Sequence, residues 1–245
     1  MRRIKLLGIC GSPRKKGNSH YLLEWVIKGA VGVAPDTVDA QAYSLAGKQI
    51  APCIACDRCS KTGKCATEDD FQELRDKWLA ADAIIYSAPV YNMAIPAQLK
   101  AFIDRLGNSM VYASGGAEAV DAKNLKVVGV AVQGGCVFAG QEQVMSYLIN
   151  HAVLMSCLPV SGDEWQSYLG AAGWTRNTLR KDALRRLYEE GDLDAQAAVA
   201  AALSLGKRVV QVAMIVQAGG MACRGMLVED GNFGPFLSRL PTGEL

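Results

Sequence analysis

Five short runs rich in β-branched and apolar residues, each separated from the next by a segment of helical periodicity, constrain this chain more than any other feature. Ile4–Cys10, Val38–Ser44, Ala83–Ser87, Lys126–Val132 and Val153–Pro159 read as strands. Between them, Asn18–Val31, Asp69–Ala81, Ile95–Leu106 and Gln141–His151 read as helices. A last helix is predicted over Leu193–Gln217, where Ala, Leu, Lys and Arg dominate. Strands that alternate with helices pair in parallel, because each crossover returns the chain to the same end of the sheet. The expected fold is therefore α/β, a doubly wound five-stranded parallel sheet of order 2-1-3-4-5 with right-handed connections. One domain is expected over residues 1–218, with an insertion at 51–68 and a C-terminal tail at 219–245. Ser161–Gly191 and Gly219–Leu245 lie outside the minimal fold and read as local elaborations.

The 245 residues carry a formal net charge of only +2, and no basic face is interleaved with aromatics, which argues against a nucleic-acid partner. The opening MRRIKLLGICGSPRKK has too short an apolar run for a secretory signal, and the run meets Gly11-Ser12-Pro13-Arg14 instead of a small-residue cleavage site. The longest apolar stretches carry charges or glycines, so no segment reads as membrane-spanning. The expectation is a cytoplasmic protein, where close-set cysteines bind metal or do redox chemistry rather than form disulfides.

In open parallel sheets ligands bind beyond the carboxyl ends of the strands, so three loops matter. The first, GICGSPRKKGNSHYLLEWV, links a strand to a helix start. Free N–H groups there, the helix dipole, the hydroxyls and amide of Ser12, Asn18 and Ser19, and the Arg14 guanidinium fit an anion. The spacing is neither G-x-x-x-x-G-K-[ST] nor G-x-G-x-x-G, and a single phosphate monoester fits best, with a plain capped turn as the alternative. The second loop, SAPVYNMAIPAQLKAFIDR, places Pro89, Val90, Tyr91, Asn92 and Met93 beside the edge and face of a planar heterocycle, or under the next helix. The third, AVQGGCVFAGQEQV, uses Gly134 and Gly135 for close backbone approach to a ligand, or simply for a turn.

The trio GSPRKKGNS, SAPVYN with PAQLKAFIDR, and QGG with GQE, in this order, resembles the NAD(P)H-dependent FMN reductase branch of flavodoxin-like proteins over about residues 4–160. The resemblance implies that Ser12, Arg14, Asn18 and Ser19 hold the FMN phosphate. It also implies that Pro89, Val90, Tyr91, Asn92 and Met93 wrap the isoalloxazine ring, with Gln133, Gly134 and Gly135 beside it. One departure stands out: Gln133 and Cys136–Ala139 replace glycine- and arginine-rich wording.

The insertion reads APCIACDRCSKTGKC, with Cys53-x2-Cys56-x2-Cys59-x5-Cys65. Zinc favours two separated pairs, and the only histidines, His20 and His151, are remote in sequence. Three cysteines at successive x2 intervals match the way a chain curls around a [4Fe–4S] cubane. Arg58, Lys61 and Lys64 would offset the negative charge of such a cluster, or are ordinary surface cations. Zinc and unmetallated thiols stay open as alternatives. The quartet within a flavin fold resembles the iron–sulfur flavoprotein subgroup, which pairs one [4Fe–4S] cluster with FMN, and all four ligand positions are matched. That resemblance implies a homodimer or homotetramer with clusters near subunit interfaces. Cys10 and Cys157 read as packing residues, and so does Cys136, although its glycine-flanked loop is expected to face the flavin.

The expected function is thus electron transfer from a ferredoxin-like donor protein through the cluster to FMN and on to a small-molecule acceptor. The alternatives are an NAD(P)H-dependent FMN or quinone reductase without a working cluster, a pure electron carrier, and a zinc-stabilised FMN-binding module. No side chain is marked as a general acid or base.

Overall fold

A computed structural model describes residues 2–113 and 122–241. Its sheet is parallel throughout, and β1 (Ile4–Cys10) lies between β2 (Val38–Ser44) and β3 (Ala83–Pro89). Next come β4 (Val127–Gly134) and β5 (Leu158–Pro159), giving the expected order β2-β1-β3-β4-β5. Every residue of β3 and β4 is buried, as strands covered on both faces must be, whereas the edge strand β2 keeps exposed positions.

The two faces bury different side chains of the same strands. Leu7 and Ile9 of β1 join Phe71, Leu74 and Trp78 of α3 (Phe71–Ala80), Leu99 and Phe102 of α4 (Ala97–Ala113), and Val144 and Leu148 of α5 (Gln141–Leu154). Leu6 and Cys10 face the other way, toward Leu22 and Val26 of α1 (Asn18–Val33) and Leu205 and Val209 of α7 (Leu193–Ala222). Helices α1 and α7 touch backbone to backbone. A Cβ at Gly29 would lie 2.1 Å from the Leu203 carbonyl oxygen, and one at Gly206 would lie 1.9 Å from that of Val26. Only glycine allows this approach.

The fifth strand differs from expectation. The run predicted as Val153–Pro159 begins in the last turn of α5, where Val153 and Leu154 are exposed, and Ser156 then turns in the left-handed region at φ 49°. Only Leu158–Pro159 pair with the lower half of β4. A separate strand, β6 (Ala171–Trp174), pairs in parallel with the upper half, Ala131–Gly134. The fifth position of the sheet is therefore shared by two short strands, and part of the segment taken for an elaboration completes the frame.

By length and composition alone α7 is apolar enough to cross a membrane, a test that a core helix also passes. In the fold its inner stripe, including Ala198, Ala202, Leu205 and Val209, is buried against α1 and the sheet. The segment beyond it forms α8 (Arg224–Leu227) and α9 (Gly234–Leu237), whose Phe236 packs on Gly220. Arg239 reaches the Asn124 carbonyl and Lys123 donates its N–H to the Asn232 carbonyl, so this segment covers the amino ends of the strands. The carboxyl ends stay open.

Candidate functional site

Four segments meet at the carboxyl ends of β1, β3, β4 and β6 around a cleft of about 530 Å³. From the β1–α1 loop come Ser12, Arg14, Gly17, Asn18 and Ser19. Gly17 caps α1 with no side-chain bond to its free N–H groups, and the first turn of α1 holds no acidic residue, so the dipole is left open to an anion. Ser12 is buried and its Oγ accepts from the Arg14 N–H at 3.2 Å. Ser19 is buried too, and its carbonyl accepts from the Ser87 hydroxyl at 2.7 Å, which ties the loop to β3.

The second loop supplies Pro89, Val90 and Tyr91 to the wall. The Tyr91 and Ala94 N–H groups each donate to the other's carbonyl at 2.9 Å, and Asn92 and Met93 between them adopt φ of 49° and 65°. Two left-handed residues in succession make a tight turn that a methionine enters at a cost of roughly 1–2 kcal/mol. Asn92 and Met93 lie in this turn and not in the cleft lining. Met93 packs on Gly140, the left-handed N-cap of α5, and so joins the second loop to the third. There Gln133 and Gly135 line the cleft, whereas Gly134 is tucked beneath Gln141. At Gly135 a Cβ would meet no protein atom within 4 Å, so the backbone leaves space that a bound ring can fill.

The fourth wall is Thr175, Thr178, Leu179, Arg180 and Lys181, following β6. These residues escaped the sequence reading, although the stretch WTRNTLRK combines hydroxyls, cations and a turn directly after a short small-residue run. The strap is fastened to both neighbouring loops. Asn177 donates its N–H to the Gly135 carbonyl at 2.8 Å, and Arg14 Nη1 donates to the Leu179 carbonyl at 2.9 Å. The Asn18 amide works in both directions: Nδ2 donates to the Arg180 carbonyl at 2.9 Å and Oδ1 accepts from the N–H of Leu184 in α6 (Ala183–Glu189) at 3.0 Å. Asn18 therefore holds the strap with its side chain and offers only its backbone to an anion.

A second cleft, of about 580 Å³ and open to solvent, is lined by Cys53, Cys56, Cys59 and Cys65 together with Arg105 and Asn108 of α4. Ala55 and Asp57 both adopt left-handed backbone conformations, which curl the chain between the ligand positions. Cys59 lies on the short helix α2 (Arg58–Thr62), closed by Gly63 at φ 70° before the chain reaches Cys65. Burial raises the Cys59 pKa, and the nearby Cys65, Cys53 and Cys56 thiols raise it further. All four cysteines are free thiols. Among the described residues no group of three or more His, Cys, Asp or Glu side chains is arranged to hold a metal ion.

The ends of this loop are fixed by one buried cation. Arg105 Nη1 lies 2.6 Å from Asp69 Oδ2 and donates to the Ala51 carbonyl, while Nη2 donates to the Thr67 carbonyl at 2.6 Å. The guanidinium stacks on Phe71, and Asp69 in turn accepts the Ala51 and Phe71 N–H groups. Burial alone would raise the Asp69 pKa, but the Arg105 bond and the two backbone donors hold it below the ordinary carboxylate value. Four cysteines thus line one cleft, inside a loop clamped at both ends, and thiolates are the donor type that iron–sulfur clusters use.

The sequence matches the family described as NADPH-dependent FMN reductase over residues 4–168. It is 33% identical over 175 residues to an iron–sulfur flavoprotein of Archaeoglobus fulgidus, covering 71% of this chain and 84% of that one. An iron–sulfur flavoprotein of Methanocaldococcus jannaschii is 31% identical, with 69% and 82% covered. The chain belongs to the iron–sulfur flavoprotein subgroup of the FMN reductase family. The NAD(P)H:quinone oxidoreductase of Methanothermobacter marburgensis shares its fold with a TM-score of 0.57 at 14% identity, covering 84% of this chain and 96% of that one.

As a member of the FMN reductase family the protein is a flavin-dependent oxidoreductase. The strap after β6 lies beyond the residues 4–168 matched by the family. Cys136, beside the cleft, is half-buried, and its carbonyl accepts from Gln141 Nε2 at 2.7 Å. Trp165 and Tyr168, grouped in the sequence with Trp174, pair edge to face at 5.5 Å and stay exposed outside the cleft lining.

Proposed function

We propose that the protein is an FMN- and [4Fe–4S]-containing oxidoreductase that accepts electrons from a ferredoxin-like donor protein and delivers them to a small-molecule acceptor. The observation that carries this reading is the gathering of Cys53, Cys56, Cys59 and Cys65 into one clamped cleft on a fold that also has a flavin cleft. When bound, the cluster supplies one-electron exchange and FMN supplies the passage between one- and two-electron chemistry. The chain's task is to hold and orient these groups and to control access to them.

In this reading the backbone N–H groups at the start of α1, with Ser12, Ser19 and Arg14, bind the phosphate monoester. Pro89, Val90 and Tyr91, with Gln133 and Gly135, bound the ring, and the Thr175–Lys181 strap restricts water at the phosphate end. Cys53, Cys56, Cys59 and Cys65 ligate the cluster. Arg58, Lys61 and Lys64 are all exposed around that cleft and give an acidic donor protein a surface to approach. A homodimer or homotetramer in the cytoplasm remains part of the proposal.

The test is iron, acid-labile sulfide and FMN per chain after anaerobic purification. About four iron and four sulfide per FMN support the reading, and iron-free protein with full flavin occupancy sinks it. Cys59→Ser is expected to lose the cluster and keep FMN. A second reading, direct reduction by NAD(P)H, draws on the NADPH-dependent description of the family. Flavin bleaching by NADPH at the rate of turnover would favour it over a protein donor.

A further inference from the structure

Asn108 stands where nothing in helix formation favours it. It follows Gly107 and precedes Ser109 inside α4, three successive residues with weaker helix propensity than alanine. Its side chain turns toward the cysteine cleft, where Nδ2 lies 3.3 Å from Cys53 Sγ as a hydrogen-bond donor. Its backbone carbonyl accepts from Cys59 Sγ at 3.8 Å, so one residue of α4 touches two of the four thiols. The position is rigid, because Arg105, one turn earlier on the same helix, pins both ends of the loop that carries those thiols.

We propose that Asn108 is a positioning residue that sets the reduction potential of the cysteine-bound cluster, by donating its amide N–H to the Cys53 sulfur. The inference rests on the cluster reading above. An added electron raises the negative charge on the ligand sulfurs, and a donor aimed at one of them bonds more strongly to the reduced than to the oxidised state. Hydrogen bonds to ligand sulfurs are among the factors that set the potentials of such centres. The Asn108 donor thus favours reduction and eases electron entry from a weak donor.

The experiment is an anaerobic redox titration of the full chain, following the reduced cluster by electron paramagnetic resonance, with iron, sulfide and FMN measured on each sample. Asn108→Leu removes the N–H at nearly constant size. At a fixed ambient potential its reduced-to-oxidised ratio is expected to fall about tenfold, a shift of 59 mV toward negative potential for a one-electron couple. Asn108→Asp, which puts a carboxylate against the sulfur, is expected to shift the potential further in the same direction, with the flavin potential unchanged in both. An unshifted cluster in Asn108→Leu with full iron overturns the inference. If Asn108→Leu fails to retain iron, Asn108→Ser, whose hydroxyl is too short to reach Cys53, gives the same reading. Loss of iron from every variant overturns a tuning role in favour of a structural one. Absence of iron from the wild-type chain overturns the cluster reading instead.

Discussion

The cleft proposed for the flavin is walled by the ends of strands that pair with one another, whereas the cysteine cleft hangs on a loop beyond edge strand β2 and is held against α4. Each wall of the first is fastened to its neighbours: Ser87 holds the Ser19 carbonyl, Met93 packs on Gly140, and Asn18 and Gly135 hold the strap. The second is held at its ends by Arg105, whose guanidinium is almost wholly buried and joins residues 51, 67 and 69. A site built on strand ends inherits the stability of the sheet, and one built on a clamped loop can open while the sheet persists.

The most disruptive way to test that contrast is Arg105→Ala. It leaves Asp69 half-buried without its cation, and breaking such a pair costs about 3–5 kcal/mol. The loop is expected to release, so that iron retention falls to near zero, while FMN binds within about twofold of the wild type. Iron and flavin analysis on the same sample checks this, and joint loss of both would break the contrast.

Acid separates the two regions more gently. His151 of α5 lies in the core beside Tyr86, and burial depresses its pKa to about 4. Asp104 opposes that shift weakly and Lys100 adds to it. A histidine with a depressed folded pKa contributes stability that is present above its unfolded value of about 6.5, and that is lost as pH falls toward 4. The loss across that window is on the order of 2–3 kcal/mol and falls on the frame. Asp69 behaves differently: its contribution is present above about pH 4 and is lost only as pH falls through its lowered folded pKa. Denaturant unfolding between pH 4 and 7 should therefore show a slope that His151→Leu flattens. An unchanged slope in that variant would remove His151 from the account.

How much of this was legible in the sequence follows the same division. The first four strands could be read because continuous runs such as AIIYSAP and VVGVAVQ are buried on both faces. The fifth could not, because VLMSCLPV serves equally as a helix end and a strand, and the residues that complete the sheet, AAGW, are too few and too small to announce themselves. Losing β6 meant losing the strap that follows it. The cysteine quartet was visible from its spacing alone. Its supports were not, since FIDRLGNSM in α4 reads as an ordinary amphipathic helix until the loop at 51–69 is folded against it. Arg105 and Asn108 acquire their roles only through contacts distant in sequence.

The smallest expected effect concerns the flavin side. Gly135 lines the cleft at the end of β4, its φ lies outside the left-handed region, and a Cβ there would enter empty space. Gly135→Val is thus compatible with the backbone and with the core. Its branched side chain would project into the volume proposed for the ring, next to Gln133 and the strap anchored by Asn177. The FMN dissociation constant is expected to rise about tenfold, equivalent to about 1.4 kcal/mol, with the unfolding midpoint of the apoprotein and the iron content both unchanged. Fluorescence titration of the apoprotein with FMN measures the first, and iron analysis the last. A variant that binds FMN normally would move the ring away from the third loop. One that also loses iron would show that the two clefts are coupled more tightly than their separate anchoring implies.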